Sequence, residues 1–215
     1  MHRTVHIHDA ILLIGPTGSG KTPLGAYAET AGFAGRRCVH FDFGHQLRLA
    51  AAGTPPENGL DAAATAHVRE VLATGALLEN EAFAIAETIL RRFIERHTTR
   101  PDDIIVLNGL PRHTGQAERI ARLLRVIRIV HLQCPPEVVF ARIRHNSGGD
   151  RTGRQDDTPE DIRCKLAIFE ERTAPLLEHY RQQGVPVITR TVSLQGSPAG
   201  LWPVSFAGLE FPGRD

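Results

Sequence analysis

Gly15-Pro16-Thr17-Gly18-Ser19-Gly20-Lys21-Thr22 decides the fold of this chain. It fits G-x-x-x-x-G-K-[ST], follows the apolar run Ile11-Leu12-Leu13-Ile14, and leads into a helical pattern from Leu24 to Ala31. Strand, glycine turn and helix N-terminus form the full context of a phosphate-binding loop. Glycines let successive backbone N–H groups curl around a phosphate without a Cβ clash. The helix N-terminus adds unpaired N–H groups and partial positive charge. Lys21 is suited to the β- and γ-phosphates and the Thr22 hydroxyl to Mg²⁺. A chance glycine turn would lack this flanking context. The stretch therefore predicts binding of a nucleoside triphosphate.

Lysine usage points the same way. Lys21 and Lys165 are the only lysines; every other basic side chain is arginine. Base composition of the gene is the plain alternative for the arginine bias, and a lysine that survives such a bias is mildly informative. A compact ammonium serves as a point charge where a planar guanidinium would crowd the loop.

Working outward, 215 residues suit one domain with small inserts. A net charge of +1 implies no field for nucleic acid or membrane. No apolar run approaches 18 residues, and the N-terminus Met1–His8 lacks the apolar core of a signal peptide. Cys38, Cys134 and Cys164 are scattered, odd in number and without C-x-x-C spacing, which fits reduced thiols in a cytoplasmic protein. His6 and His8 alternate with apolar residues, as solvated strand-edge histidines do.

Short apolar runs alternate with longer helical patterns, the sign of a parallel α/β sheet. Strands are predicted at Ala10–Ile14, Arg37–Phe41, Ile104–Leu107, Ile127–Gln133 and Val185–Thr189. Helices are predicted at Lys21–Ala31, Gly44–Ala52, Asp61–Thr74, Glu79–His97, Thr114–Val126, Pro136–His145 and Pro159–Gln183. Thr158-Pro159-Glu160-Asp161 supplies a cap, a proline at the first helical position and first-turn acids. Ser147–Asp157 is polar and glycine-rich, hence a surface loop, and Ser193–Asp215 matches no regular element. The expected division is a domain over residues 1–192 and an irregular tail over 193–215.

Arginines 48, 112, 142, 144, 151 and 154 cluster where strands end or helices begin, the ligand side of an open α/β sheet. Asn108-Gly109-Leu110-Pro111-Arg112, after the third strand, turns Arg112 back over the strand ends. With His113-Thr114-Gly115-Gln116 it resembles the D-G-F-P-R-x-x-x-Q motif of adenylate kinases. Further matches follow in chain order. Gly44-His45-Gln46-Leu47-Arg48 is similar to G-D-M-L-R, and Gly75-Ala76-Leu77-Leu78 to the G-x-L-V turn of the monophosphate arm. Gly153-Arg154-Gln155-Asp156-Asp157 resembles the G-R-x-D-D that ends the lid. Thr173-Ala174-Pro175-Leu176-Leu177 with Tyr180 resembles T-x-P-L-x-x-Y. Together these span about Ile11 to Ile188 and are specific for the nucleoside monophosphate kinase group.

The resemblance implies a P-loop fold: a five-stranded parallel sheet flanked by helices, a helical arm near Gly44–Phe83 and a short lid near Ser147–Asp157. It implies transfer of the ATP γ-phosphoryl to a nucleotide acceptor, with AMP the default, by a monomer using ATP and Mg²⁺. Lys21, Arg112, Arg142, Arg154 and Lys165 would be the catalytic cations. Gly15, Thr17, Gly18, Ser19, Gly20, Lys21, Thr22 and Arg142 would hold ATP. Phe43, Gly44, Arg48, Leu78, Gly109, Arg112 and Gln116 would hold the acceptor. Thr22, Asp42 and Asn108 would hold Mg²⁺, partly through water.

The departures are specific. Asn108 replaces the motif's Asp, His45 the Asp of G-D-M-L-R, and Phe43 the Thr before it. Asn146 replaces the second arginine of the R-x-x-x-R pair before the lid, where Arg144 or Arg151 could substitute. Lys165 replaces an arginine of the last long helix, and the loop reads G-K-T-P instead of G-K-G-T. Asp42 has two open readings: a cap for the following helix, or the base that takes a hydroxyl proton in a small-molecule kinase of the shikimate or gluconate type. Binding without efficient turnover is a third possibility that Asn108 and Asn146 favour.

Overall fold

The computed structural model describes residues 7–53, 59–74, 78, 82–152 and 157–202. Strands β1 (His8–Ile14), β2 (Cys38–Asp42), β3 (Ile104–Asn108), β4 (Leu124–Gln133) and β5 (Val187–Thr191) form one sheet in the order 2-3-1-4-5. Every pairing is parallel. Parallel strands need crossovers, and the helices supply them: α1 (Lys21–Ala31), α2 (Phe43–Ala51), α3 (Ala62–Thr74), α4 (Phe83–His97), α5 (Thr114–Ile120), α6 (Pro136–Arg144), α7 (Pro159–Ile168) and α8 (Leu176–Gln182).

The central strands are buried on both faces, which is why their sequences read as unbroken apolar runs. Their two-residue period divides the core. Ala10, Leu12 and Ile14 join Ile105 and Leu107 beneath α2, α3, α4, α5 and α8. Ile11 and Leu13 join Ile104 and Val106 beneath α1 and α6. The edge strands β2 and β5 carry partly exposed residues.

Most boundaries differ from the sequence reading by a few residues; three larger departures have a physical reason. The helix expected over Thr114–Val126 stops at Ile120, and β4 begins at Leu124. Leu124, Arg125 and Val126 pair with His8, Asp9 and Ala10, so strand pairing on the central strand outweighs the helical pattern. The long helix expected over Pro159–Gln183 starts as predicted, with a reciprocal Thr158–Asp161 capping box. It then widens into a π turn over Phe169–Thr173, where the Ala174 N–H donates to Phe169 O at 2.8 Å. Pro175 offers no N–H to an ordinary helical ladder, and the extra residue absorbs that break.

The third difference is the tail. Residues 193–202 are ordered onto the domain, with a short helix α9 (Pro198–Leu201) capped by Ser197. Trp202 is 2 % exposed, lies edge-on to Phe33 and donates from Nε1 to Gly32 O at 2.9 Å. His8, expected at a solvated edge, is buried on the central strand. The expected arm corresponds to α2, α3 and the start of α4; its Gly75–Leu77 turn lies outside the described residues. No helix among the described residues is long and apolar enough to cross a membrane.

Candidate functional site

The C-terminal ends of β1, β2 and β3 open onto a single cleft. After β1, residues 15–20 wrap into a loop and Lys21 begins α1. Gly18 has φ +72°, and a Cβ there would lie 2.8 Å from Ile143 Cγ1. Gly20, with φ +92°, would place a Cβ 3.0 Å from Arg142 Nη2. Both the turn and the close helix contact therefore demand glycine. The Ser19 hydroxyl is fully buried and has no hydrogen-bond partner among the described residues, leaving an acceptor-seeking group inside the loop.

Lys21 folds back on this loop. Its Nζ donates to Gly15 O and Pro16 O, each at 2.7 Å. Burial, with Arg112 and Arg151 nearby, pulls its pKa down to about 7, while Asp42 and Asp150 act the other way. A bound polyphosphate favours the ammonium form, so ligand binding at pH 8 should draw roughly one proton from solution and at pH 6 almost none. Polyphosphate affinity should accordingly fall as pH rises above about 7. Calorimetric titration of an ATP analogue in two buffers of different ionisation enthalpy measures this uptake. No uptake at pH 8 refutes the assignment.

Thr22, Asp42 and Asn108 meet beside Lys21. β2 and β3 place Asp42 and Asn108 opposite one another in register. Thr22 Oγ1 donates to Asp42 Oδ2 at 2.7 Å, and Asn108 Nδ2 donates to the same oxygen at 2.9 Å and to Thr22 Oγ1 at 3.1 Å. Asp42 Oδ1 accepts the His45 N–H at 2.9 Å, so Asp42 is also the cap of α2. Burial pushes this carboxyl up, but hydrogen bonds from Thr22 and His45, with His40 and Arg48 close by, hold it below its ordinary value. The cluster is an anionic oxygen site with a hydroxyl and an amide, a donor set suited to a hard divalent cation or its waters.

Arg112 and Arg48 line the same cleft, with Gly44, Gly109 and Lys165. Gln116 is 1 % exposed and does not line the cleft. It acts from behind: Oε1 accepts the Arg112 N–H at 2.8 Å, and Nε2 donates to Leu78 O at 2.7 Å. Thr173 Oγ1 donates to Arg112 O at 2.8 Å, so the π turn also grips this loop. Leu78 itself is buried behind the lining. Phe43, Leu47, Val71, Leu72, Ile168 and Phe169 form the apolar part of the wall.

Arg142 packs behind the phosphate loop. It is 4 % exposed, donates to Gly18 O at 3.1 Å and to Ser193 O at 2.8 Å, and does not line the cleft. In this structure it ties the phosphate loop to the segment after β5. Ser19 likewise sits behind the lining, and Arg154 lies outside the described residues. Asp150, Phe169 and the apolar residues of α3 were not singled out from sequence, because apolar lining and core look alike in a helical pattern.

Comparison with known proteins matches this arrangement. A family described as AAA domain matches residues 11–166. An adenylate kinase of Xylella fastidiosa (strain 9a5c) is 31% identical over 184 residues, covering 81% of this chain and 87% of that protein. The chain belongs to the adenylate kinase family. An adenylate kinase of Rhodopirellula baltica (strain DSM 10527 / NCIMB 13988 / SH1) is 33% identical over 182 residues, covering 81% and 83%. A gluconokinase from Sinorhizobium meliloti 1021 shares 19% identity at a TM-score of 0.47, over 93% of this chain and 89% of that one; this likeness carries no argument about substrate. Membership makes the chain a P-loop phosphotransferase related to the nucleoside monophosphate kinases.

Proposed function

We propose that the chain transfers the γ-phosphoryl of ATP to a nucleoside monophosphate, with AMP the default acceptor. The observation that carries this reading is the gathering of several cations in one cleft: Lys21 of the phosphate loop with Arg48, Arg112 and Arg151, beside the Thr22–Asp42 oxygen site. Holding a donor and an acceptor phosphate together calls for such a set, since phosphoryl transfer needs positioning and charge neutralisation more than covalent help. In the transfer, the bond from the γ-phosphorus to the β-bridging oxygen breaks and one to an acceptor phosphate oxygen forms.

The residues fit both groups. The loop with its unpartnered Ser19 hydroxyl suits ATP phosphates. Thr22 and Asp42, with Asn108 steering the carboxylate, would hold Mg²⁺. The metal would neutralise phosphate charge. Gly44, Arg48, Gly109 and Arg112 would hold the acceptor phosphate, Phe43 and its apolar neighbours the base, and Lys165 would approach the transferred group. Arg142 would steady the ATP loop from behind, and Gln116 and Leu78 would brace Arg112.

The hydrogen bonds on Asp42 favour a metal-holding role over that of a general base. A carboxylate held below its ordinary value by several donors is poorly matched to taking a hydroxyl proton. Phosphorus NMR with Mg-ATP, a panel of nucleoside monophosphates and a panel of small alcohols tests the reading directly. A new diphosphate signal supports it; a new phosphomonoester from an alcohol rejects it. Arg112→Ala should cost about 1.5–3 kcal/mol of transition-state stabilisation, seen as a raised acceptor KM or lowered kcat. A silent Arg112→Ala in steady-state kinetics would remove the acceptor-phosphate role.

A further inference from the structure

At position 146 the family pattern places an arginine, and this chain has asparagine. Two arginines lie near enough in sequence to stand in for it, and the structure separates them. Arg144 ends α6, is exposed and does not line the cleft. Arg151 lines it. Its side chain is 9% exposed, and Nη2 donates to Thr17 Oγ1, inside the phosphate loop, at 2.9 Å. Nη1 is held by Asp157 Oδ1, so the guanidinium is gripped from behind and presents its edge to the loop.

Asn146 makes this placement. Its φ is +46°, a left-handed conformation that asparagine tolerates better than most residues. The chain reverses there, and the Gly149 N–H donates to Asn146 O at 2.9 Å. Asn146 Oδ1 then accepts the Arg151 N–H at 3.0 Å, while Nδ2 donates to Thr152 Oγ1 at 3.2 Å. An arginine at this position could not supply that acceptor. Asn146 thus both makes the turn and holds the backbone of Arg151.

We propose that Arg151 is the donor-side phosphate arginine of this chain, standing in for the second arginine of the R-x-x-x-R pattern that Arg142 begins, and that Asn146 is its positioning residue. The assignment rests on the phosphoryl-transfer reading above for its catalytic consequence, but its binding consequence stands on the phosphate loop alone. Arg151 lines the cleft together with Lys21 and Arg112, and both guanidinium groups act on the Lys21 ammonium.

The test is calorimetric titration of a non-hydrolysable ATP analogue with Mg²⁺, alongside steady-state kinetics and thermal melting. Arg151→Ala should weaken analogue binding or lower kcat by about 10–150-fold, the range for losing a charge-assisted pair, with the acceptor KM little changed. Arg151→Lys should recover part of the loss, and Arg144→Ala should match the wild type. Asn146→Gly keeps the left-handed turn but removes the acceptor, and should lower kcat without lowering Tm; Asn146→Asp should restore it. Asn146→Gly should add nothing to Arg151→Ala. Wild-type affinity and turnover in Arg151→Ala, or an equal loss in Arg144→Ala, overturns the assignment. Full additivity of the two variants overturns the positioning role. If the wild type binds the analogue but phosphorylates no monophosphate, the proposed function fails while the affinity of Arg151→Ala still decides this point. No analogue binding by the wild type overturns both.

Discussion

Lys21→Ala is expected to lower kcat/KM for ATP by about 10²–10³-fold, the scale of losing one preorganised charge stabiliser in a water-poor site. Lys21 is the only positive side chain within the loop itself. It already sits with Nζ 2.7 Å from two loop carbonyls, so little reorganisation separates it from a phosphate. The fold should not suffer. Burial, with Arg112 and Arg151 nearby, disfavours the Lys21 ammonium in the free protein. Removing it should leave Tm unchanged or raised while activity collapses. Lys21→Arg should not rescue, because a planar guanidinium cannot replace a compact ammonium between these carbonyls. A coupled assay with a melting curve on each variant checks both halves. Wild-type turnover in Lys21→Ala would remove the phosphate-loop reading.

Much of this architecture was legible because chemistry and periodicity agree locally. Lys21–Ala31 forms the helix read from its glycine boundaries, and the Thr158–Asp161 cap forms as its residue types dictate. β1 and β3 read as strands because central parallel strands need apolar residues on both faces. Leu123 to Val126 was not legible: the run suits a helix or a strand, and only the pairing with β1 decides it. Trp202 was missed for a related reason. Its partner, Gly32 O, lies far away in sequence, and a Gly- and Pro-rich tail gives no periodicity. In the cleft, the positions of Lys21, Thr22, Arg48 and Arg112 follow from local motifs. The burial of Arg142 against Ser193 O and the inward turn of Arg151 depend on contacts between distant segments, which spacing does not encode.

Asp42→Asn is expected to lower turnover by about 10²–10³-fold and to weaken Mg²⁺-dependent nucleotide binding by about 10–100-fold. Asn108 stands where the resemblance places an Asp, but Asn108→Asp is not expected to act as a repair. Asn108 Nδ2 lies 2.9 Å from Asp42 Oδ2, so a second carboxylate at 108 would face the first at hydrogen-bond distance. Two carboxylates that close cannot both stay ionised, so one takes up a proton and the site gains no usable charge. It also loses the amide that steers Asp42 toward Thr22. Asn108→Asp should therefore lower activity near neutral pH and recover some as pH rises and the shared proton leaves. In the proposed site the metal-holding carboxylate stands at the end of β2, opposite Asn108 in register. The double variant Asp42→Asn/Asn108→Asp should outperform both single variants, since it restores one anion and one amide in the same pair. Mn²⁺ binding followed by electron paramagnetic resonance, with an ATP analogue present, reads the metal independently of turnover. A double variant no better than Asp42→Asn would show that the charge must reside at position 42 specifically. Full activity and Mn²⁺ affinity in Asp42→Asn would leave Asp42 as no more than the cap of α2.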